Sequence, residues 1–413
     1  MNSKMTRRTL LGQAAATGAI GSLPTMSMAA TSDKIRVGGL HDLSGFLDFL
    51  GVPMNKMLLL AIEEVNAAGG LLGKELEPVI YDPQTNMSLY SQFATQLSLK
   101  DRAAVAIGGI TSASRETIRP ILHRYNVPYF YNTLYEGGVC DRNTVALGTT
   151  PAQTVEKLVP YTMKLWGKKV YTLAADYNYG HITAAWVKRF VEENGGEVVE
   201  TDYFPLDVTN FGPTISKIQS AKPDMIMSVL VGSGHLGFYN QWAAAGMKNE
   251  IPIASTTFGG GGAEIEIIKP EVANGIVSSY GYYPSIDTPA NRALVEKVKA
   301  RYPTDTPLLT ELSVLTYESL LIWASAVREA GSLDQAKILE VLEAGQTYDL
   351  PSGQVTIDPL THHAVRDVYI ADLQDKSFII KEKYSQVQPS DTQLVCNLQE
   401  DPTANVQHEI SLN

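Results

Sequence analysis

The chain has few cysteines, fewer basic than acidic residues and no long apolar run, and each of these shortages excludes a structural feature or a class of binding partner. Only two cysteines occur among 413 residues, so at most one disulfide can form within the chain. Acidic residues outnumber basic ones by 44 to 33, and the lysines and arginines are scattered, so nucleic-acid binding is not expected. The apolar stretch near the N-terminus is broken by glycine and proline, which disfavours a permanent membrane anchor.

Motifs that indicate catalysis or metal binding are also missing. The seven histidines show no H-x-x-x-H or Cys/His spacing, which argues against a zinc site, and no G-x-S-x-G elbow occurs. Gly259–Gly262 lacks the Gly-Lys-Ser/Thr of a phosphate-binding loop. We therefore expect no enzyme, no metal site and no cofactor.

Residues 1–29 have the order of an export signal. The pair Arg7 and Arg8 precedes an uncharged run of small residues, and Ser27-x-Ala29 fits a cleavage site. This layout is typical of a twin-arginine signal, which carries a folded protein across a bacterial inner membrane, so the periplasm is the expected location. The alternative is a chance arginine pair at a frayed N-terminus. In an oxidising compartment Cys140 and Cys396 are expected to pair, although two unrelated buried thiols remain an alternative.

Short β-branched runs alternate with amphipathic windows in two similar stretches, which predicts an α/β fold of two lobes. Each lobe is expected to contain a doubly wound, mostly parallel sheet flanked by helices. The helices predicted at Pro289–Ala300, Leu312–Glu329 and Leu333–Glu343 have no strands between them, as though the chain returns to cover the first lobe. The expected divisions are residues 33–150 plus 282–352, residues 151–281 plus 353–385, and a polar tail, 386–413.

A glycine-rich segment, Gly232-Ser-Gly234-His-Leu-Gly237, follows a predicted strand and opens a helix. Its spacing matches a dinucleotide-binding fingerprint, but it lies deep in the second lobe and no ribose-binding acid follows. NAD or FAD binding is therefore not expected. Backbone N–H groups at such a helix start can still hold a carbonyl or carboxylate oxygen of another ligand.

Hydroxyl and tyrosine side chains recur just after predicted strands, where the carboxyl ends of parallel strands face a crevice. Each has a plain structural alternative, because Ser112 or Ser114 can cap a helix and the tyrosines can simply pack. Their shared position nevertheless predicts a ligand site. The predicted ligand-binding residues are Ser44, Ser112, Thr133, Tyr177, Tyr179, Gly232, Ser233 and Phe258.

Several sequence blocks together resemble the type 1 periplasmic solute-binding proteins of ABC importers, in the branch for branched-chain amino acids, urea and short-chain amides. The blocks are Leu43-Ser-Gly45, Ala61–Gly70, Thr111–Arg115, Thr133–Gly137, Asp176-Tyr177, Pro284–Pro289 and Val355–Pro359 with His362-His363. The resemblance implies a two-lobed fold with a three-strand hinge and a non-enzymatic role. It implies a small polar ligand and an inner-membrane permease as partners, and a monomer or weak dimer.

The same resemblance implies roles for individual residues. Ser112 and Thr133 would bind the ligand's oxygen from the first lobe, and Tyr177 would close over it from the second. The chain departs from the amide and urea binders at Gly180-His181, at Ile110 and in the glycine run. An amino-acid ligand would need a carboxylate for its ammonium group, and the sequence does not rank the candidates Asp48, Asp176, Glu264 and Glu266.

The tail suggests a second function, since Pro389-Ser-Asp and Cys396-Asn-Leu resemble an amide-sensing regulator of amidase operons. Such a protein signals to a partner and works in the cytoplasm, and the export signal argues against this alternative. An exported enzyme is a further, less supported possibility.

Overall fold

The structure, a computed structural model, describes residues 34–260 and 262–410. The predicted export signal, residues 1–29, lies outside the described residues. Within the described ranges, none of the helices combines the length and apolar character needed to cross a membrane.

The first part of the chain forms a five-stranded parallel sheet with connecting helices. Its elements are β1 (Ile35–Leu40), α1 (Asp48–Ala67), β2 (Leu76–Tyr81), α2 (Met87–Gln96), a π-helical turn (Leu97–Asp101), β3 (Val105–Gly108), α3 (Ser112–Arg124), β4 (Tyr129–Tyr131), β5 (Val139–Asp141) and β6 (Thr144–Ala146). The strand order is β2-β1-β3-β4-β6. Every residue of β3 is buried, as expected for a central parallel strand covered on both faces. The order reverses between β1 and β3, which creates a crevice at their carboxyl ends.

The second part repeats this plan. Its elements are α4 (Val155–Trp166), β7 (Lys169–Ala175), α5 (Asn178–Glu193), β8 (Glu197–Phe204), α6 (Gly212–Ala221), β9 (Met225–Val229), α7 (Ser233–Ala244), a 3₁₀ turn (Met247–Asn249), β10 (Ile253–Ser255), α8 (Ala263–Ile267), α9 (Pro270–Ala273) and β11 (Val277–Tyr280). These strands are parallel in the order β11-β10-β9-β7-β8. The reversal between β9 and β7 creates a second crevice.

The chain then returns through the three predicted helices and continues into a set of late strands. They are α10 (Pro289–Arg301), α11 (Glu311–Ala330), α12 (Gln335–Glu343), β12 (Thr347–Leu350), β13 (Gly353–Ile357), β14 (Ala364–Gln374) and β15 (Ser377–Val387). Helix α11 packs on α1 of the first part, where the Tyr317 hydroxyl donates to Glu64 at 2.6 Å. The late strands extend the second sheet to nine strands by antiparallel pairing, beginning with β14 on β11. Strand β12 lies before residue 352, the expected end of the first lobe, and pairs with β13 of this sheet.

The tail wraps back onto the first part of the chain. It contains α13 (Ser390–Gln393) and β16 (Asn405–Gln407), and β16 pairs antiparallel with β5. Cys140 and Cys396 form a disulfide with a Cα–Cα distance of 5.3 Å. The buried carboxylate of Asp391 accepts hydrogen bonds from the Thr150 hydroxyl at 2.8 Å and the Ala152 backbone N–H at 2.9 Å. The tail is thus joined to the first part covalently and by hydrogen bonds.

Candidate ligand-binding site

A cavity lies where the carboxyl ends of strands from both sheets converge. Residues that follow β3, β4, β7, β9 and β10 line it, together with the beginnings of α1, α8 and α11. Its apolar wall consists of Leu47, Phe49, Leu50, Ile110, Leu134, Val231 and Leu312. Its polar side chains are Thr111, Ser112, Tyr131, Thr133, Tyr177, Tyr179, His235, Thr257 and Glu264. An apolar cavity with a few convergent polar groups beside two topological reversals is a typical small-molecule site.

Two serines in the first turn of α3 have different roles: Ser114 takes part in the helix cap, and Ser112 lines the cavity. Thr111 caps the helix by accepting the Ser114 backbone N–H at 3.1 Å, and the Ser114 hydroxyl accepts the Thr111 N–H at 3.0 Å. Ser114 is therefore occupied by the cap, in the reciprocal arrangement that stabilises helix starts. The Ser112 hydroxyl lines the cavity and donates to Glu136 at 2.7 Å, so its oxygen can still accept a hydrogen bond.

Behind Ser112 lies a fully buried ion pair. Glu136 accepts a hydrogen bond from Arg115 at 2.9 Å, and neither side chain is exposed to solvent. Burial favours the neutral form of Glu136, but Arg115 and hydrogen bonds from Gln407 and Ser112 outweigh it, so the pKa of Glu136 lies below its usual range. The Arg115 guanidinium also lies 5.1 Å from the ring centre of Tyr131, a residue of the cavity wall. The ion pair fixes one side of the cavity.

The strand ends of the two sheets each supply hydroxyl groups. Thr133 follows β4, and its hydroxyl lies 3.4 Å from the Gly109 carbonyl oxygen, a long contact that leaves the group free to reorient. Tyr177 and Tyr179 stand at the start of α5 with ring centres 6.2 Å apart, and the Tyr179 and Thr256 hydroxyls are 3.0 Å apart. Burial raises the pKa of both tyrosines, which therefore remain protonated and able to donate at neutral pH.

The glycine-rich start of α7 forms another part of the wall. Gly232 lines the cavity with φ of 64° and ψ of −133°, a backbone conformation that side chains rarely adopt, and this explains the glycine. Ser233 is the first residue of the helix. His235, two residues after Ser233, also lines the cavity and is fully buried, and its Nε2 lies 2.9 Å from the Thr257 hydroxyl oxygen. Burial lowers the pKa of His235 to about 3, so its ring is neutral at physiological pH.

The structure brings most of the predicted ligand-binding residues together and leaves two apart. Ser112, Thr133, Tyr177, Tyr179 and Gly232 all line the cavity. Two others lie elsewhere, since the exposed Ser44 donates to Asp82 at 2.6 Å and the fully buried Phe258 packs against Tyr239 and His235.

The sequence alone did not identify His235 or the apolar side chains as parts of the site. It also did not rank the four acidic residues that were candidates for binding an ammonium group. Of those acids only Glu264 lines the cavity, because Asp48, Asp176 and Glu266 are exposed. His235 could have been found from its position after a predicted strand. Leu312 could not, because it comes from a distant helix and has no sequence feature that connects it to the site.

Comparison with known proteins agrees with this geometry at two levels. At the level of fold, the structure superposes on an amino acid ABC transporter substrate-binding protein from Pseudomonas fluorescens Pf-5 with a TM-score of 0.80, at 20% identity over 89% of this chain and 99% of that one. A solute-binding protein from Rhodopseudomonas palustris in complex with 4-hydroxybenzoate gives a TM-score of 0.77, at 24% identity over 86% and 98% of the two chains. The fold is therefore the two-lobed type 1 solute-binding fold.

At the level of sequence, residues 35–393 match the family model for the periplasmic binding protein domain, and the chain belongs to this family. A similar relative is Leu/Ile/Val-binding protein homolog 6 of Brucella melitensis, 26% identical over 381 residues, which cover 88% of this chain and 95% of the relative. The leucine-, isoleucine-, valine-, threonine- and alanine-binding protein of Pseudomonas aeruginosa is 25% identical over 349 residues, or 82% and 89% of the two chains. The predicted family and fold are thus confirmed.

Proposed function

We propose that the protein is the extracytoplasmic substrate-binding component of an ABC importer. The observation that carries this proposal is the cavity at the carboxyl ends of both sheets, with Ser112 and Thr133 on one side and Tyr177 and Tyr179 on the other. Closure of two lobes about a hinge would bury a small solute there and shift the population towards a closed state. The closed, loaded form would deliver the solute to an inner-membrane permease.

The proposed lobes are those expected from the sequence, residues 33–150 plus 282–352 and residues 151–281 plus 353–385. The hinge crossings would then lie near residues 148–151, 280–284 and 352–355, and β12 would directly precede the third crossing. The nearby contact of Arg366, which donates to the Leu147 carbonyl at 2.8 Å, supports a crossing near the end of β6.

The proposed ligand is a small polar solute of the amide, urea or amino-acid type. Neutral hydroxyl donors and aromatic walls suit a neutral or zwitterionic molecule. Two of the similar proteins are named as binding or transporting amino acids, and one structural neighbour holds an aromatic acid. The amide and urea resemblance of the sequence adds the remaining class.

Binding without turnover is part of this proposal. Two hydroxyls of the cavity lie beside a possible base. Ser112 donates to Glu136 at 2.7 Å, but the effect of burial is outweighed by Arg115 and hydrogen bonds, which hold the pKa of Glu136 below its usual range and make it a weak base. The second hydroxyl is that of Thr257, 2.9 Å from the Nε2 of His235. The Thr257 hydroxyl donates its hydrogen to the Leu230 carbonyl, so His235 is not placed to remove that proton and activate the oxygen. The expected behaviour is therefore reversible capture.

A thermal-shift screen of amides, ureas and amino acids tests the proposal, because a ligand that binds only the folded state raises the melting temperature. Each hit is then incubated with the protein and assayed for consumption. We expect at least one stabilising ligand that is recovered unchanged. Formation of a product would overturn the receptor assignment in favour of an enzyme.

A further inference from the structure

The tautomer of His235 follows from its neighbours. The Thr257 hydroxyl donates to the Leu230 carbonyl, so its oxygen is left to accept from His235. The Nε2 of His235, 2.9 Å away, must therefore carry the ring hydrogen. In a neutral ring the other nitrogen, Nδ1, then presents a lone pair. This Nδ1 is buried and has no hydrogen-bond partner among the described residues.

Glu264 presents a second acceptor beside this nitrogen. Burial raises the pKa of Glu264, and a ligand that donates N–H hydrogens to its carboxyl group would favour the ionised form. Its side chain is only 9% exposed and lines the same cavity. One carboxylate oxygen, Oε1, accepts the Gly259 backbone N–H at 3.1 Å and lies 3.8 Å from the His235 Nδ1. The other oxygen, Oε2, has no partner within residues 34–260 and 262–410. Buried acceptors that lack donors destabilise a folded protein, so two of them in one cavity wall point to a ligand that supplies the donors.

We propose that His235 Nδ1 and Glu264 Oε2 form an acceptor pair that binds an N–H-bearing head group of the ligand, either a primary amide or an ammonium group. The inference rests on the proposed function and specifies its substrate class. One N–H-bearing head group can donate to both residues, because the His235 Nδ1 lies 3.8 Å from Oε1 of the same carboxyl group whose Oε2 has no partner, and each N–H to acceptor contact spans about 2.9 Å. A ligand carboxylate placed here would meet two lone pairs and be rejected, since it offers no hydrogen.

The remaining wall describes the rest of the ligand. Leu47, Phe49, Leu50, Ile110 and Leu312 form its apolar surface. A bare urea would leave this surface without contacts, whereas an apolar body joined to the N–H head group would cover it. Ser112, Thr133 and the tyrosines could then bind a carbonyl or carboxylate oxygen away from the acceptor pair. The favoured class is an amide or amino acid with an apolar side chain.

Isothermal titration with a matched set of probes tests the acceptor pair. Isovaleramide and isovalerate differ in the group that would face the pair, an amide in one and a carboxylate in the other. L-leucine supplies an ammonium group, and benzoate supplies a carboxylate on an apolar ring without any N–H or O–H donor. We expect the wild type to bind isovaleramide or L-leucine at least tenfold more tightly than either acid. If only L-leucine binds tightly, the acceptor pair binds an ammonium group. If only isovaleramide binds tightly, the pair binds a primary amide.

Two glutamate-to-glutamine variants test whether Glu264 is responsible for this preference. Glu264→Gln, which turns part of the acceptor into a donor, should weaken the preferred N–H probe at least tenfold. Glu266→Gln is the matched control, since Glu266 lies on the same helix and is exposed, and it should change affinity by less than twofold. Circular dichroism checks that both variants fold, and if Glu264→Gln does not, the selectivity of the wild type alone decides.

The outcomes separate this inference from the proposed function. A wild type that prefers either acid would overturn the acceptor pair and leave the receptor assignment intact. Equal affinity of Glu264→Gln and wild type for the N–H probe would do the same. Failure of all four probes to bind would overturn both the substrate class and the function proposed from this cavity.

Discussion

The hydroxyl of Ser112 donates to the carboxylate of Glu136 across 2.7 Å, which couples the cavity wall to a buried charge. The partner of that charge is Arg115, whose Nη2 lies 2.9 Å from Glu136 and 2.7 Å from the amide oxygen of Gln407. A residue near the end of the chain thus takes part in the same network as a residue that lines the cavity. Both stability and ligand binding should respond to changes here.

Glu136→Ala should destabilise the protein strongly. The change leaves Arg115 as a buried charge without its fully buried charged partner, and breaking such a pair costs about 3–5 kcal/mol. Urea unfolding followed by circular dichroism measures the loss. The control is Glu116→Ala, because Glu116 also contacts Arg115 but is 30% exposed, and a loss of about 1 kcal/mol is expected there. Equal losses in the two variants would contradict the buried-pair interpretation.

Thr133→Ala and Tyr177→Ala should each weaken ligand binding while the fold remains intact. Each removes a hydroxyl from the cavity wall, and a loss of about tenfold in Kd, or 1.4 kcal/mol, is the expected scale. The best ligand from the thermal-shift screen serves for titration calorimetry. Tyr203→Ala provides the comparison, because Tyr203 is 40% exposed and packs on His181 away from the cavity lining. Unchanged affinity in both cavity variants would remove this pocket from the proposed function.

Replacing Cys140 and Cys396 by serine should lower the free energy of unfolding by about 2–5 kcal/mol. The bond closes a long loop, with a sequence separation of 256, and its loss gives the unfolded chain more freedom. Denaturant unfolding with and without a reductant measures the effect. The reductant should destabilise the wild type and leave the double serine variant unchanged; destabilisation of both would indicate an effect of the reductant unrelated to this bond.

Stability should depend on pH through Asp391. Burial raises its pKa to about 6, whereas the unfolded chain has the usual value of about 3.9. The folded state therefore binds this proton more tightly, and the resulting stability is fully present below about pH 4 and lost as the pH rises through about 6. The free energy of unfolding of the wild type, measured relative to that of Asp391→Asn, should therefore fall as the pH rises through this range. The fall is at most about 1.4 kcal/mol per pH unit. Urea unfolding at pH 4, 5, 6 and 7 checks this, and a flat difference would show that Asp391 is not the titrating group.

Arg7→Lys combined with Arg8→Lys should stop export if residues 1–29 are a twin-arginine signal. Cell fractionation should find the wild type shortened and in the periplasm, and the variant full length and in the cytoplasm. Full-length wild type in the cytoplasm would instead favour the amide-sensing regulator.

The regular core of both sheets was predictable because hydrophobic periodicity reports it directly. The sequence pattern predicts one strand at Glu197–Phe204, and β8 has these bounds. The preference of proline for the first position of a helix predicts that the first helix begins at Pro53, but α1 begins at Asp48 and Pro53 lies inside it. The pairing of β5 with β16 was not predicted, since each has only three residues and their partnership depends on contacts far apart in sequence.

The cavity was predictable only where it obeys a rule of topology. Thr133 and Tyr177 were identified because polar residues after parallel strands meet at one edge. Ser44 satisfies the same rule, yet its hydroxyl is turned towards Asp82, and side-chain direction in a loop has no periodic signal. His235 and Glu264 come close together because the first turns of α7 and α8 are adjacent in the fold, and the sequence alone does not reveal this contact.

The bond between Cys140 and Cys396 turns most of the molecule into a covalent ring. The chain segment between the two cysteines contains every strand of the nine-stranded sheet, and it also contains the cavity residues Tyr177, His235 and Glu264. A protease that cuts one peptide bond within this ring leaves both fragments attached to each other. A receptor in a compartment that contains proteases can thus be nicked once in a surface loop and still remain a single molecule until the disulfide is reduced.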